Sequence, residues 1–210
     1  MTTALVIDDH PIVLQGCRRI LLDAGVSEVM EADGIVAGYR IYRRSNPDVV
    51  VVDLALEGGG LDGLELVRRI RRHDAVKPIL VFSMHSNPVI VSRALRAGAT
   101  GYVLKDAGAR DFLDAFRAVS RKQRYLDHNT AMQVALIGST GDGGPIGDTT
   151  PRELQTLALL AEGKSYSEIA ERLGVSYKTV VNTCSQLKSK LGARNLPDLT
   201  RLAVQHLGRK

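Results

Sequence analysis

The sequence predicts two units of different class: a parallel α/β sheet wrapped on both faces over residues 1–122, and an all-helical unit over 149–210. Three observations carry this. Short aliphatic runs alternate with longer amphipathic stretches through the first half, the pattern of strands linked through crossover helices into one parallel sheet. One run, Val49-Val50-Val51-Val52, is aliphatic on both sides, as a strand buried on both faces requires. Gly138–Asp148 holds five glycines and one proline, too little apolar mass for a core, so it reads as a flexible linker.

The elements follow in order. Strands are expected at Ala4–Ile7, more weakly at Glu28–Glu31, then at Asp48–Leu54, Ile79–Ser83 and Gly101–Leu104. Helices are expected near Pro11–Ala24, Gly34–Ser45, Gly63–His73, Pro88–Ala97 and Arg110–Arg121. Pro11 and Pro88 suit a first helical position, Asn87 can cap the helix that follows it, and Gly25 and Gly98 supply stops. A linker helix covers Asp127–Ile137 within a linker region of 123–148. Beyond it, Thr150-Pro151-Arg152-Glu153 and Ser165-Tyr166-Ser167-Glu168 both spell a capping box. Ser176 caps a third helix running to Leu191, Gly192 stops it, and a fourth follows from Pro197 to Leu207.

Bulk properties narrow the function classes. At 44% hydrophobic residues and with no aliphatic run longer than five, the chain predicts real cores and no membrane span. The N-terminus lacks the basic and apolar regions of a signal peptide, so the expected location is cytoplasmic. Cys17 and Cys184 lie far apart, each on the apolar side of a predicted helix, and read as structural. Residues 141–210 hold ten Lys/Arg against seven Asp/Glu, and Tyr177–Arg194 holds Lys178, Lys188, Lys190 and Arg194 with no acid. Such a basic stretch suits nucleic acid.

In a doubly wound sheet, ligands collect beyond the carboxyl ends of the strands. Asp8 and Asp9 follow the first strand, Asp53 ends the third, Ser83 the fourth, and Lys105 the fifth. Three carboxylates converging on one edge repel one another unless a cation intervenes, and hard oxygen ligands suit Mg²⁺. A carboxylate can also accept a phosphoryl group, whose charge Mg²⁺, Lys105 and the Ser83 hydroxyl can then offset. Residue by residue a plainer reading fits too: Asp8-Asp9 as a helix cap, Lys105 as a solvated strand end, Tyr102 as a half-buried tyrosine, and His85 as a surface-loop histidine.

On these residues the stretch 1–122 resembles the two-component receiver domain. The acidic pair, acceptor, hydroxyl and lysine stand in the family's order, with separations of 44, 30 and 22 residues from Asp9 to Asp53, Ser83 and Lys105 in turn. The resemblance implies a (βα)₅ flavodoxin-like fold with Asp53 as phosphoacceptor. It also implies Mg²⁺ on Asp8, Asp9, Asp53 and the Ala55 carbonyl, with Tyr102 as the aromatic whose rotamer follows Ser83. One departure stands out: Glu57 occupies a position where the family usually has proline, and Gly58-Gly59-Gly60 lengthens the loop before Asp62-Gly63.

The second half reads as helix, tight turn, helix, with Val180, Cys184, Leu187 and Leu191 forming one buried stripe. The opposite face carries Lys178, Val181, Asn182, Ser185, Lys188 and Ser189. Small polar groups near a helix N-terminus with lysines further on suit a DNA major groove, although a small four-helix protein-binding module fits the spacing as well. Residues 149–207 resemble the LuxR-type helix-turn-helix of NarL/FixJ-family regulators. The resemblance rests on Thr150-Pro151-Arg152-Glu153, Glu162-Gly163, Glu168-Ile169-Ala170, Leu173, Ser176, Lys178-Thr179-Val180, Asn182 and Lys190-Leu191-Gly192. It implies DNA contacts by Lys178, Thr179, Val181, Asn182, Ser185 and Lys188. Val181 stands where the family usually has lysine, and Thr183 where it often has histidine.

The combined expectation is a response regulator, not an enzyme, phosphorylated on Asp53 by a sensor histidine kinase or a small acyl phosphate. It would act as a homodimer on an inverted-repeat site in double-stranded DNA. The last helix supports pairing, because Leu199, Leu202, Ala203 and Leu207 offer more apolar surface than a three-helix core needs. Two rivals remain at this stage: a regulator that dimerises constitutively, and a phosphatase or phosphotransferase built on the same carboxylates.

Overall fold

The computed structural model describes residues 2–56, 60–140 and 144–207. Apart from Gly59–Leu61, the chain divides into two compact units, one running to Val134 and one starting at Ala135.

The first unit is a five-stranded sheet, β1 (Thr3–Ile7), β2 (Glu28–Ala32), β3 (Val49–Val52), β4 (Ile79–Ser83) and β5 (Gly101–Leu104). All neighbours are parallel, in the order β2-β1-β3-β4-β5. The crossovers are α1 (Pro11–Asp23), α2 (Ile35–Ser45), α3 (Asp62–His73) and α4 (Pro88–Ala97), and α5 (Ala109–Ser120) follows the last strand. Helices α1 and α5 pack together on one face, while α2, α3 and α4 touch in sequence on the other. Alternation sorts the strand residues between these layers. Ala4, Val6, Val49, Val51 and Leu80 join Cys17, Leu21, Phe112 and Phe116 in the core under α1 and α5. Because the sheet is covered on both sides, β3 is buried throughout.

Local chemistry sets the ends. Asn87 Oδ1 accepts the Val89 amide at 2.9 Å, and Gly98 closes α4 at φ 111, a region that disfavours side chains. The strand expected at 48–54 is observed at Val49–Val52, although the Asp48 and Asp53 amides on its flanks still donate to Thr3 O and Ile7 O of β1 at 3.1 and 2.9 Å. The Asp48 carboxylate accepts from the Thr3 amide and hydroxyl at 2.8 and 3.0 Å, and the Leu54 carbonyl accepts from Gly63. Glu57, Gly58 and Gly59, where the sequence departs from the family, lie outside the described residues.

Helix α6 (His128–Thr140) spans the boundary between the units. The second unit continues with α7 (Gly144–Gly147), α8 (Pro151–Ala161), α9 (Tyr166–Arg172), α10 (Tyr177–Leu191) and α11 (Leu196–Leu207). Both capping boxes form: Thr150 with Glu153, and Ser165 with Glu168. An Arg152 guanidinium donor reaches the Leu173 carbonyl and ties α8 to the end of α9.

Two expectations need correction here. The glycine-rich stretch 138–148 is not wholly linker, since α6 continues to Thr140 and Gly144–Gly147 forms a helical turn against α10. Ile146 is the reason: it is buried, and its carbonyl accepts both the amide and the hydroxyl of Thr149. The apolar residues offered for pairing on α11 are mostly consumed at home. Leu199, Ala203 and Leu207 are buried in a helix that packs on α8 and α10, whereas the exposed apolar residues are Leu196 and Val204. No helix among the described residues is long and apolar enough to cross a membrane.

Candidate functional site

The sheet order reverses between β1 and β3, and the crevice beyond their carboxyl ends is where a doubly wound sheet gathers ligands. Asp8 and Asp9 leave the end of β1 and Asp53 the end of β3, side by side because Ile7 pairs with Val52. Lys105 follows β5 and reaches across. Its Nζ lies 2.6 Å from Asp8 Oδ2 and 2.7 Å from Asp53 Oδ2, with only 8% of its side chain exposed.

Burial alone pulls the Lys105 pKa down, but the two carboxylates outweigh it and hold the ammonium above its ordinary value. Asp8 is driven the other way. Burial raises its pKa, with Asp53 adding to the rise, and the bonds from Lys105 and the His10 amide only partly offset this. The pocket therefore holds three carboxylates against one ammonium. Asp8, Asp9, His10 and Asp53 each offer a ligand atom within 4.8 Å of the others. Among the described residues Asp53 Oδ1 is buried without a hydrogen-bond partner, and Asp9 Oδ1, although 2.7 Å from His10 Nδ1, is not aligned for a hydrogen bond. Excess negative charge plus orphaned carboxylate oxygens fits a hard divalent cation such as Mg²⁺. His10, immediately after the acidic pair, is the one member of this cluster that sequence reasoning missed.

Ser83 ends β4 fully buried, with Lys105 donating its amide to the Ser83 carbonyl at 2.9 Å. Tyr102 lies inward, fully buried, its hydroxyl donating to the His85 carbonyl at 2.6 Å and its pKa raised by desolvation. His85 is itself buried, 6% exposed, which corrects its reading as a surface-loop histidine. Ala55 is buried two residues beyond Asp53. A further residue bears on the site without chemistry of its own. A Cβ on Gly63 would meet the Asp53 carbonyl oxygen at 2.1 Å, so the start of α3 presses directly on the backbone that carries Asp53. Its sequence signal was the Asp62-Gly63 pair.

In the second unit, Val180, Cys184 and Leu187 are buried along one side of α10, while Leu191 is half-buried. Lys178, Thr179, Val181, Asn182 and Ser185 are exposed on the far side, and Lys188 is half-exposed. The Thr179 hydroxyl lies 2.9 Å from the Ser176 hydroxyl, which itself caps the helix by accepting the Thr179 amide. Thr183 turns its hydroxyl onto the Thr179 carbonyl at 2.9 Å. Lys190 is withdrawn from the basic set, because its Nζ lies 2.8 Å from Glu153 Oε2, an acid 37 residues away that local sequence did not reveal.

With this geometry established, two family models match: the response regulator receiver domain over residues 4–117, and the luxR family of bacterial regulatory proteins over 149–203. The chain belongs to the NarL/FixJ-type response regulators. It is similar to the methanol utilization control regulatory protein MoxX of Paracoccus denitrificans, 41% identical over 96% of this chain and 91% of that one. The response regulator UvrY of Escherichia coli K12 is 34% identical over 98% and 95%. Among solved structures, RcsB of Salmonella enterica serovar Typhimurium, bound to promoter rprA with phosphomimetic BeF3-, superposes with a TM-score of 0.73. It has 29% identity and covers 97% of this chain and 98% of that one. This response regulator thus joins a receiver domain to a LuxR-type DNA-binding domain, which excludes the enzymatic rival.

Proposed function

We propose that Asp53 is the phosphoacceptor of a cytoplasmic two-component switch whose output is sequence-specific binding of double-stranded DNA through α10. This reading assigns the receiver to 1–122, the linker region to 123–148 and the DNA-binding domain to 149–210. One observation carries the acceptor assignment. The Asp53 carboxylate is split, with Oδ2 bonded to Lys105 and Oδ1 buried without a hydrogen-bond partner among the described residues.

Oδ1, the oxygen that Lys105 does not engage, is the nucleophile this reading favours. It would attack the phosphorus of a phosphohistidine on a sensor histidine kinase, or of a small acyl phosphate. The P–N or P–O bond to the donor breaks, and the donor leaves with the electron pair. Asp8, Asp9, Asp53 and the Ala55 carbonyl would hold Mg²⁺, which when bound supplies positive charge against the phosphoryl oxygens. Lys105 and the Ser83 hydroxyl would receive the remaining oxygens, and Tyr102 would follow Ser83.

On DNA, Asn182 and Ser185 suit base edges, Val181 a thymine methyl, and Lys178 and Lys188 the phosphates, with Thr179 beside them. One recognition helix reads few base pairs, so a homodimer on an inverted repeat is the supported form, its half-sites roughly 10 base pairs apart. Leu196 and Val204 on α11 are the exposed apolar residues available for pairing. The test is Asp53→Asn, which keeps the shape but lacks the anionic nucleophile. Labelling by radioactive acetyl phosphate should disappear while circular dichroism is unchanged, and undiminished labelling would place the acceptor elsewhere.

A further inference from the structure

The receiver carries a charge asymmetry that the phosphoryl switch does not use. Helices α2 and α3 together hold seven arginines, three on α2 and four on α3, against Asp62 and Glu65. That excess equals the formal charge of the whole chain, +5. It is also directed outward. On α2 the exposed residues Arg40, Arg43 and Arg44 recur at i, i+3 and i+4, one helix face, and α2 contains no acid to oppose them. On α3 the exposed face includes Arg69 and Arg72.

The two faces are joined. Arg69 stacks on the Tyr39 ring at 3.9 Å, and Tyr39 in turn lies 6.3 Å from His73, so α2 and α3 meet at Tyr39 with arginines on both helices. Not every arginine is available. Arg71 is spent on the Gly98 and Asp74 carbonyls and the Thr100 hydroxyl, while Arg68 and Arg72 share Glu65. Among the described residues, no hydrogen bond or ion pair holds the α2 triad. Crossover helices run back against their strands, so Arg43, Arg44 and Arg72, in the last turns of their helices, sit toward the end of the sheet opposite Asp53. An anion attracted there is not the phosphoryl group.

We infer that the α2–α3 face is a second, sequence-independent contact for the phosphate backbone of duplex DNA. The inference rests on the DNA-binding reading above and extends it to the receiver. Two features select DNA over other polyanions. All the cations are arginines, whose planar forks suit phosphate oxygens. The tethered helix-turn-helix also brings duplex to the same molecule at high effective concentration. On α10 Lys178 and Lys188 remain for phosphates, but Val181 stands where the family usually has lysine and Lys190 is held by Glu153, so added phosphate contacts on the receiver would compensate.

The experiment uses the full chain and a long mixed-sequence duplex, with affinity measured across a salt series. In Arg40→Gln/Arg43→Gln/Arg44→Gln, the slope of log affinity against log salt should become shallower by about two to three units, because each phosphate contact contributes about 0.9. The corresponding triple Lys variant, which keeps the charge, should retain most of the slope and excludes a folding defect as the cause. As a contrast, Asn182→Ala should lower affinity for a selected binding site and leave the mixed-sequence slope unchanged. An unaltered slope in the Gln variant overturns the inference while leaving DNA binding intact, whereas a wild-type chain that fails to bind duplex overturns both. Unaltered DNA binding with lost binding to anionic lipid vesicles would assign the face to a membrane and also overturn it.

Discussion

Replacing Gly63 with alanine tests the packing beneath Asp53, because the same substitution elsewhere in the receiver should have the opposite sign. At Gly63 a Cβ would lie 2.1 Å from the Asp53 carbonyl oxygen, 2.7 Å from Leu54 Cα and 3.0 Å from Asp53 C. All three are backbone atoms, so no rotamer change relieves the clash. The backbone is also pinned: Asp53 donates its amide to Ile7 O and Gly63 donates to Leu54 O, both at 2.9 Å. Overpacking of this kind costs about 1–3 kcal/mol, and a clash against backbone belongs at the upper end. The helix propensity of alanine returns about 1 kcal/mol. The net expectation is a loss of about 2 kcal/mol, or roughly 1 M in the urea midpoint for m near 2 kcal/mol/M.

Gly16 supplies the control. It sits inside α1 with nothing within 4 Å of a built Cβ. Gly16→Ala should therefore stabilise by about 0.5–1 kcal/mol through propensity alone. Urea titration of the receiver transition by circular dichroism compares the two, and acetyl phosphate labelling adds a functional readout. Gly63→Ala should label more slowly because Asp53 must move with its carbonyl; Gly16→Ala should label normally. A Gly63→Ala protein as stable as the parent would mean that α3 does not press on the Asp53 backbone, and the account of the pocket would fail.

Three further outcomes are expected. Asp9→Ala should weaken Mg²⁺ binding by removing one of the three carboxylate ligands, and an unchanged Mg²⁺ titration would argue against the pocket as described. Val181→Lys should raise DNA affinity and steepen its salt dependence by about one unit, whereas a flat response would mean that Val181 does not face DNA. Burial opposes ionisation of Glu153, but Lys190 and the Thr150 amide and hydroxyl overcome it and hold its pKa below 4.5. Its stabilising effect is thus fully present above that value and lost as pH falls through the lower folded one. The melting-temperature gap between wild type and Glu153→Gln should close on acidification, and parallel curves would refute the linkage.

What was legible in the sequence is what short-range chemistry determines. Pro11 and Pro88 start helices, Thr150 with Glu153 and Ser165 with Glu168 close capping boxes, and the aliphatic run at Val49 makes the central strand. Asp8, Asp9, Asp53 and Lys105 converge because each terminates a strand of one parallel sheet, a consequence of topology that the alternating pattern already implies. What escaped depends on contacts between distant residues. Nothing near Lys190 announces Glu153, nothing near Leu199 says that α8 and α10 will cover it, and composition hid the single buried isoleucine at 146. Gly63 is the instructive case, since a glycine beginning a helix reads as a weak helix former until the carbonyl beneath it is known.

The strand order also sorts the pocket's charges, and this sorting bears on how a phosphoryl group at Asp53 would be sensed. β3 has β1 on one side and β4 then β5 on the other. The β1 side contributes Asp8 and Asp9 and is suited only to a cation, while the β4–β5 side contributes a hydroxyl and an ammonium suited only to an anion. Three carboxylates and one ammonium carry a charge of about −2, and converting Asp53 to an acyl phosphate dianion makes it about −3. The added charge attracts the Lys105 ammonium and the Ser83 hydroxyl, the donors available on the far side. These two are not independent, because the Lys105 amide bonds the Ser83 carbonyl and Ser83 pairs with Leu104 along the ladder. Tyr102 stands on the same strand as Leu104, and its hydroxyl holds the carbonyl of His85, two residues beyond Ser83. A displacement of Ser83 toward the phosphoryl group therefore changes the geometry at His85 and the acceptor of the Tyr102 hydroxyl together. The path from Asp53 to the segment leading into α4 consists of these few bonds, all on the side of β3 away from Asp8 and Asp9.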